Sequence, residues 1–168
     1  KNKPLVKYLL NQNVNLDNSL IAAVKIDDIE FVDLILKKCS FLINKQIEHE
    51  TALIIAVRNQ NVGIVKKLLS IPEIDPSIPN QDNFTPMEMS TKLRNHEIFS
   101  LIFDFYGENI RNQKKQIDKC INIILDYDMQ ISHEDFLPFI AKIINLKCID
   151  SNIYTNKNTL LTFACSMY

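Results

Sequence analysis

Residues 51–69 read TALIIAVRNQNVGIVKKLL, and the reading of this stretch decides the fold. Thr51 is placed to cap a helix whose apolar residues Leu53, Ile54, Ala56 and Val57 fall at helical spacing. Gln60-Asn61 interrupts the pattern, and a second helix follows that is expected to bury Val62, Val65, Leu68 and Leu69. Two short antiparallel helices cannot bury their own apolar faces, so the unit requires neighbouring copies of itself.

The copies are present. Ala23-Val24 precedes Ala56-Val57 by 33 residues and Leu36 precedes Leu69 by the same interval, while Thr85 and Phe103 follow Thr51 and Leu69 by 34. A helix–turn–helix unit at this period fits an ankyrin or a tetratricopeptide array. Residues 74–87, IDPSIPNQDNFTPM, separate the two by their length. This proline- and Asx-rich link ends in Thr-Pro at a helix start, which suits a β-turn finger and not the tight turn of a tetratricopeptide unit.

On these residues the chain resembles the ankyrin repeat family. Thr85-Pro86-Met87 is similar to the family's Thr-Pro-Leu-His signature, and residues 61–69, NVGIVKKLL, are similar to its second helix. The resemblance implies an all-α solenoid of stacked antiparallel helix pairs with β-turn fingers, incomplete at both ends. The signature His is replaced by Ile21, Ile54, Glu88 and Thr162, so stacking is expected to lean on apolar contact.

Along the chain the pattern divides into a partial repeat over 1–17, repeats over 18–50, 51–84 and 85–110, a longer degenerate repeat over 111–158, and a partial repeat over 159–168. Pro4 opens an orphan second helix with Leu5, Val6, Leu9 and Leu10 as its stripe. Asp17, Asn18 or Ser19 can cap the next helix. In the first full repeat Asp28 is the cap of the second helix and Phe31, Val32, Ile35 and Leu36 face inward. In the third, Asn95 is the cap, Ile98, Phe99, Ile102 and Phe103 form the stripe, and Gly107 stops the helix.

No finger fits residues 108–116, and Ile117, Cys120, Ile121, Ile124 and Leu125 then specify an amphipathic helix. Pro138 fits the first turn of the following helix if Asp135 is its cap, with Ile140, Ile143 and Ile144 inside. Residues 150–158 restore a finger. With two glycines in the chain, Asn must supply left-handed turn conformations, and Asn13, Asn83 and Asn109 are placed to do so. The chain reads as a piece of a longer protein, and its terminal repeats, residues 1–15 and those beyond Thr159, are expected to fray.

Composition narrows function by exclusion. A net charge of −1 with 46% hydrophobic and 23% charged residues lacks the basic footprint of a nucleic-acid binder, and no apolar run reaches the length of a membrane span. Cys39, Cys120, Cys148 and Cys165 have neither CxxC pairing nor a neighbouring His at metal-ligand spacing, and read as core residues of an intracellular, cytoplasmic protein. Gly63 and Gly107 cannot form a phosphate loop, and His133-Glu134 lacks a second His four residues on. No catalytic, cofactor or metal site is expected.

The expected activity is protein–protein interaction, as a scaffold or adaptor segment, against the alternatives of a structural spacer or the regulatory arm of a larger enzyme or channel. The family resemblance implies docking on the finger tips and the exposed face of the first helices. Carried over residue by residue, these positions are Ile47, Glu48, Glu50, Arg58 and Asn59, then Gln81, Asp82, Phe84, Lys92 and Leu93. Lys25 and Ile26 extend the surface at one end and Thr155, Asn158 and Met167 at the other. Phe84 is either packed beneath its finger or offered to the partner. The uncapped end repeats allow weak self-association.

Overall fold

A computed structural model describes residue 16, residues 18–125 and residues 133–144. The expected orphan helix, the expected finger over 150–158, the last partial repeat with Thr155, Asn158, Thr162 and Met167, and Asn13, Cys148 and Cys165 lie outside the described residues, as do the terminal residues expected to fray. The chain divides into two compact units, residues 1–86 and 87–168.

In the first unit, α1 (Ser19–Lys25), α2 (Ile29–Lys38), α3 (Ala52–Arg58) and α4 (Val62–Leu69) form two antiparallel pairs. Helix α1 packs on α2 and α3, and α4 packs on α3 and α2. The first helices form at these places because their interior positions are uniformly small or aliphatic: every residue from Ala52 to Val57 is buried. The second helices start where a short polar side chain accepts the N–H three residues on. Asp28 accepts from Phe31 at 3.1 Å and Asn61 from Ile64 at 2.8 Å, and Thr51 does the same for Ile54 at 3.2 Å at the head of α3.

Several local expectations need correction. Asn18 occupies the N-cap of α1 without a side-chain bond, while the Ser19 hydroxyl turns back to donate to the Leu16 carbonyl at 2.6 Å. In α4 the core positions are Ile64, Val65 and Leu68, with Val62 and Leu69 half-buried. The inward face of that helix is therefore rotated by part of a turn from the stripe read by spacing. Phe31 is likewise half-buried. Ile21 and Ile54 are buried apolar contacts, as expected where the signature His is missing.

The second unit contains α5 (Pro86–Lys92), α6 (His96–Tyr106), α7 (Lys114–Leu125) and α8 (Leu137–Ile144). Asn95 caps α6 by accepting from Ile98 at 3.0 Å, and Gly107 ends it at φ 49°. A 3-10 segment, Gly107–Gln113, runs directly into α7 where no finger was expected. Asn109 lies inside that segment and does not take the left-handed conformation, because a helical path leaves no turn for it to serve.

Helix α6 packs on α8 through Phe99, whose ring centroid lies 4.9 Å from Phe139 and 5.5 Å from Phe103. Tilted aromatic pairs of this kind add to area burial. Asp135 falls within the 3-10 turn His133–Phe136, and Phe136 directly precedes α8, so Asp135 does not occupy the cap position. Its carboxylate instead meets the Arg94 guanidinium at 3.2 Å, and that guanidinium also lies over the Phe136 ring. Glu88 departs from the apolar rule for its repeat position: it is 1% exposed and lies 3.5 Å from Lys119 Nζ.

Candidate functional site

The first finger tip is built from its backbone. Ile47 and Glu50 exchange two backbone hydrogen bonds of 3.0 Å, and Glu48 and His49 between them hold φ of 53° and 61°. Two successive positive φ values match the right-handed twist of the flanking strands in a two-residue hairpin. Glu48 and His49 are exposed at the tip, whereas Ile47 is half-buried and does not stand free as the sequence suggested. The whole finger contains this isolated bridge and no named strand.

Charges from the first-helix ends meet this tip. Lys25 is the last residue of α1 and lies 3.9 Å from the Glu48 carboxylate. Arg58, last in α3, hydrogen-bonds to Glu50. A cation at a helix C-terminus is favoured by the helix dipole, so each of these residues has a local reason for its place besides the ion pair. Ile26, immediately after α1, is 61% exposed, and Asn59 is exposed after α3. Lys25, Glu48, Glu50 and Arg58 therefore gather on one surface of the first unit.

Gln81 and Asp82 sit at the second tip, between Asn80 and Asn83. Buried Asn80 organises that loop: its N–H donates to the Phe84 carbonyl and its side-chain oxygen accepts from Phe84 N–H, both at 2.9 Å. Asn83 holds φ 61°, the conformation expected of it. Phe84 is half-buried, between the two alternatives read from the sequence. In the second unit Lys92 is exposed at the end of α5 and Leu93 is half-buried after it.

Sequence reasoning did not find the residues that tie the fingers together. Asn44 donates to the Glu73 carbonyl at 2.6 Å and accepts from Asp75 N–H at 2.8 Å, and Gln46 donates to the Pro79 carbonyl at 3.1 Å. The only signal was a pair of amide side chains, Asn44 and Gln46, in a finger whose other residues are charged apart from Ile47 and His49. On the second helices Asp33 links Lys37, at 2.7 Å, with Lys67. Hydrogen bonds from Lys37 and Lys67 hold the Asp33 carboxyl below its ordinary range.

Among the described residues no cluster of three or more His, Cys, Asp or Glu is placed to hold a metal ion, and no helix is long and apolar enough to cross a membrane. Cys39 and Cys120 are free and buried. Burial pushes the Cys120 thiol up to about 12, far from the thiolate a nucleophile requires.

Helix pairs with turn fingers, joined by polar bonds from one finger to the next, define a repeat protein of the solenoid class. A family model for ankyrin repeats (3 copies) matches residues 1–80 and again residues 20–114, and the chain belongs to the ankyrin repeat family. No curated protein and no solved structure matches it. Ankyrin repeats generally mediate protein–protein interaction and are typically non-enzymatic modules.

Proposed function

We propose that this chain is a recognition segment of a scaffold or adaptor, binding a protein partner through its finger tips and first-helix ends. The observation that carries the reading is the convergence of Lys25 and Arg58 on Glu48 and Glu50, with exposed Ile26 and Asn59 beside them. Charges of both signs around an exposed aliphatic side chain suit a protein surface, where a few anchors carry most of the affinity. The family pattern assigns Gln81, Asp82 and Phe84 the same role on the second finger, and Lys92 and Leu93 at the next first-helix end.

The test is affinity capture from a lysate of the source cell, with the parent chain and with a variant carrying Glu50→Lys, Arg58→Glu and Lys92→Glu. The first two substitutions reverse an ion pair without abolishing it, and Lys92 is exposed, so the variant is expected to keep its circular dichroism and unfolding midpoint. A protein retained by the parent and lost by the folded variant supports recognition at this face. Identical capture by both, or capture by neither, favours the spacer.

A further inference from the structure

We propose that the ion pair between buried Glu88 and half-exposed Lys119 is a register lock, fixing one placement of α7 against α5 in the part of the chain where the finger is missing. In the first unit, alignment between neighbouring loops is set by side chains of the finger: Asn44 and Gln46 reach three acceptors and donors on the loop that follows. The 3-10 segment Gly107–Gln113 is not a finger: it runs straight into α7, and its Gln113 side chain accepts from Gln116 of that same helix.

The packing face of α7 is also poorly specifying on its own. Ile117, Cys120, Ile121 and Ile124 are buried in a nearly uniform aliphatic stripe, and a stripe of interchangeable side chains defines register weakly. Facing it, α5 buries Met87, Ser90 and Thr91, and the hydroxyls of Ser90 and Thr91 are turned back onto the Met87 carbonyl at 2.7 and 3.0 Å. Polar contacts then choose the alignment: on the α6 side the Tyr106 hydroxyl donates to the Gln116 side chain of α7 at 3.5 Å, and towards α5 the contacts are charged and thiol ones. Glu88, 1% exposed, meets Lys119 Nζ at 3.5 Å, and Thr91 hydrogen-bonds to Cys120, the next residue of α7. Sliding α7 by one residue would bring Asp118 or Cys120 to the buried carboxylate in place of Lys119, and neither supplies a cation. A single buried polar group that selects one register is the best-attested use of such pairs. Lys119 is suited to it because its stem packs inside while its ammonium remains partly in water.

The experiment uses the 168-residue chain and reads amide NMR and hydrogen exchange of residues 114–125. Lys119→Arg keeps the cation and is expected to give one set of α7 resonances with parental protection. Lys119→Met is expected to split those resonances into more than one set and to lower α7 protection at least tenfold. The paired Glu88→Met, Lys119→Met variant is expected to recover the parental urea midpoint while the split persists, because apolar packing replaces the pair's stability but not its specificity. A single, fully protected α7 set in Lys119→Met overturns the proposal. So does a paired variant that unfolds well below Lys119→Met, which would make the pair a stabiliser and not a selector.

Discussion

Among the described residues six other than glycine hold positive φ: Asp27, Glu48, His49, Gln60, Asn83 and Arg94. Asp27, Gln60 and Arg94 stand at one repeat position, just beyond the end of a first helix, where an αL residue ends the helix and glycine is the unstrained choice. An L side chain there costs about 1 kcal/mol relative to glycine. Gln60→Gly is therefore expected to raise the urea-derived stability by about 0.5–1 kcal/mol, since the backbone is already in place and the side chain is exposed. An unchanged or lowered midpoint would mean that the Gln60 side chain contributes more than the strain it brings.

Asp33 allows a second prediction at this scale. Its carboxyl is held below the ordinary value of about 3.9 by Lys37 and Lys67, so its contribution to stability is complete above that pH and is lost as pH falls through the lowered value. Asp33→Asn is accordingly expected to be less stable than the parent at pH 7, with the gap closing in strong acid and shrinking in high salt. Paired urea titrations at pH 7 and pH 2.5 measure it. A gap independent of pH would place the effect elsewhere.

The fingers and caps act at the scale of the element. Asn44→Ala removes both bonds to the Glu73–Asp75 loop, exposing those backbone groups to water, which replaces part of what is lost. The expected cost is about 1 kcal/mol, with faster exchange at the Asp75 amide while α3 stays protected. Thr51→Ala, which deletes the cap of α3, is expected to cost about 1 kcal/mol and to speed exchange at Ile54. Uniform acceleration in both variants would argue against finger and helix being separable elements.

The elements that sequence made legible are those governed by local rules. Thr51, Asp28 and Asn95 cap helices as read, because each needs only a side-chain oxygen three residues ahead of a free N–H; Asn61, read only as an interruption, caps in the same way. Gly107 and Asn83 were legible for the same kind of reason. Helical spacing identified α4 but missed Ile64 and placed Val62 and Leu69 too far inside, because the helix packs on two neighbours and their joint position, which spacing does not encode, sets the rotation of the buried face. Long-range polar partners were not legible at all. Nothing local to Asn44, Glu88 or Asp33 names the residue about 30 positions away that meets it. At the first finger tip, the pairing of Glu50 with Arg58 and of Glu48 with Lys25 was not legible, because it depends on a turn carrying two positive φ values without glycine.

At the scale of the whole molecule, the two units are built differently. The first stacks aliphatic helices and ties its loops together with amide side chains, whereas the second centres on Phe99, Phe103, Phe136 and Phe139. Phe99→Ala is expected to cost about 3–5 kcal/mol within the second unit. Repeat stability propagates through nearest neighbours, so exchange in α1 and α2 is expected to change much less than in α6 and α8. Equal loss throughout would show one cooperative block.

The recognition claim is tested most directly by placing a photo-crosslinking residue at one of two exposed positions and irradiating the chain in lysate. Asn59 lies beside the paired charges at the first-helix end, and Ser40 lies beyond the end of α2, outside the residues assigned to recognition. Covalent capture of a discrete protein at Asn59 and none at Ser40 is the predicted result. Capture at Ser40 with none at Asn59 would contradict it.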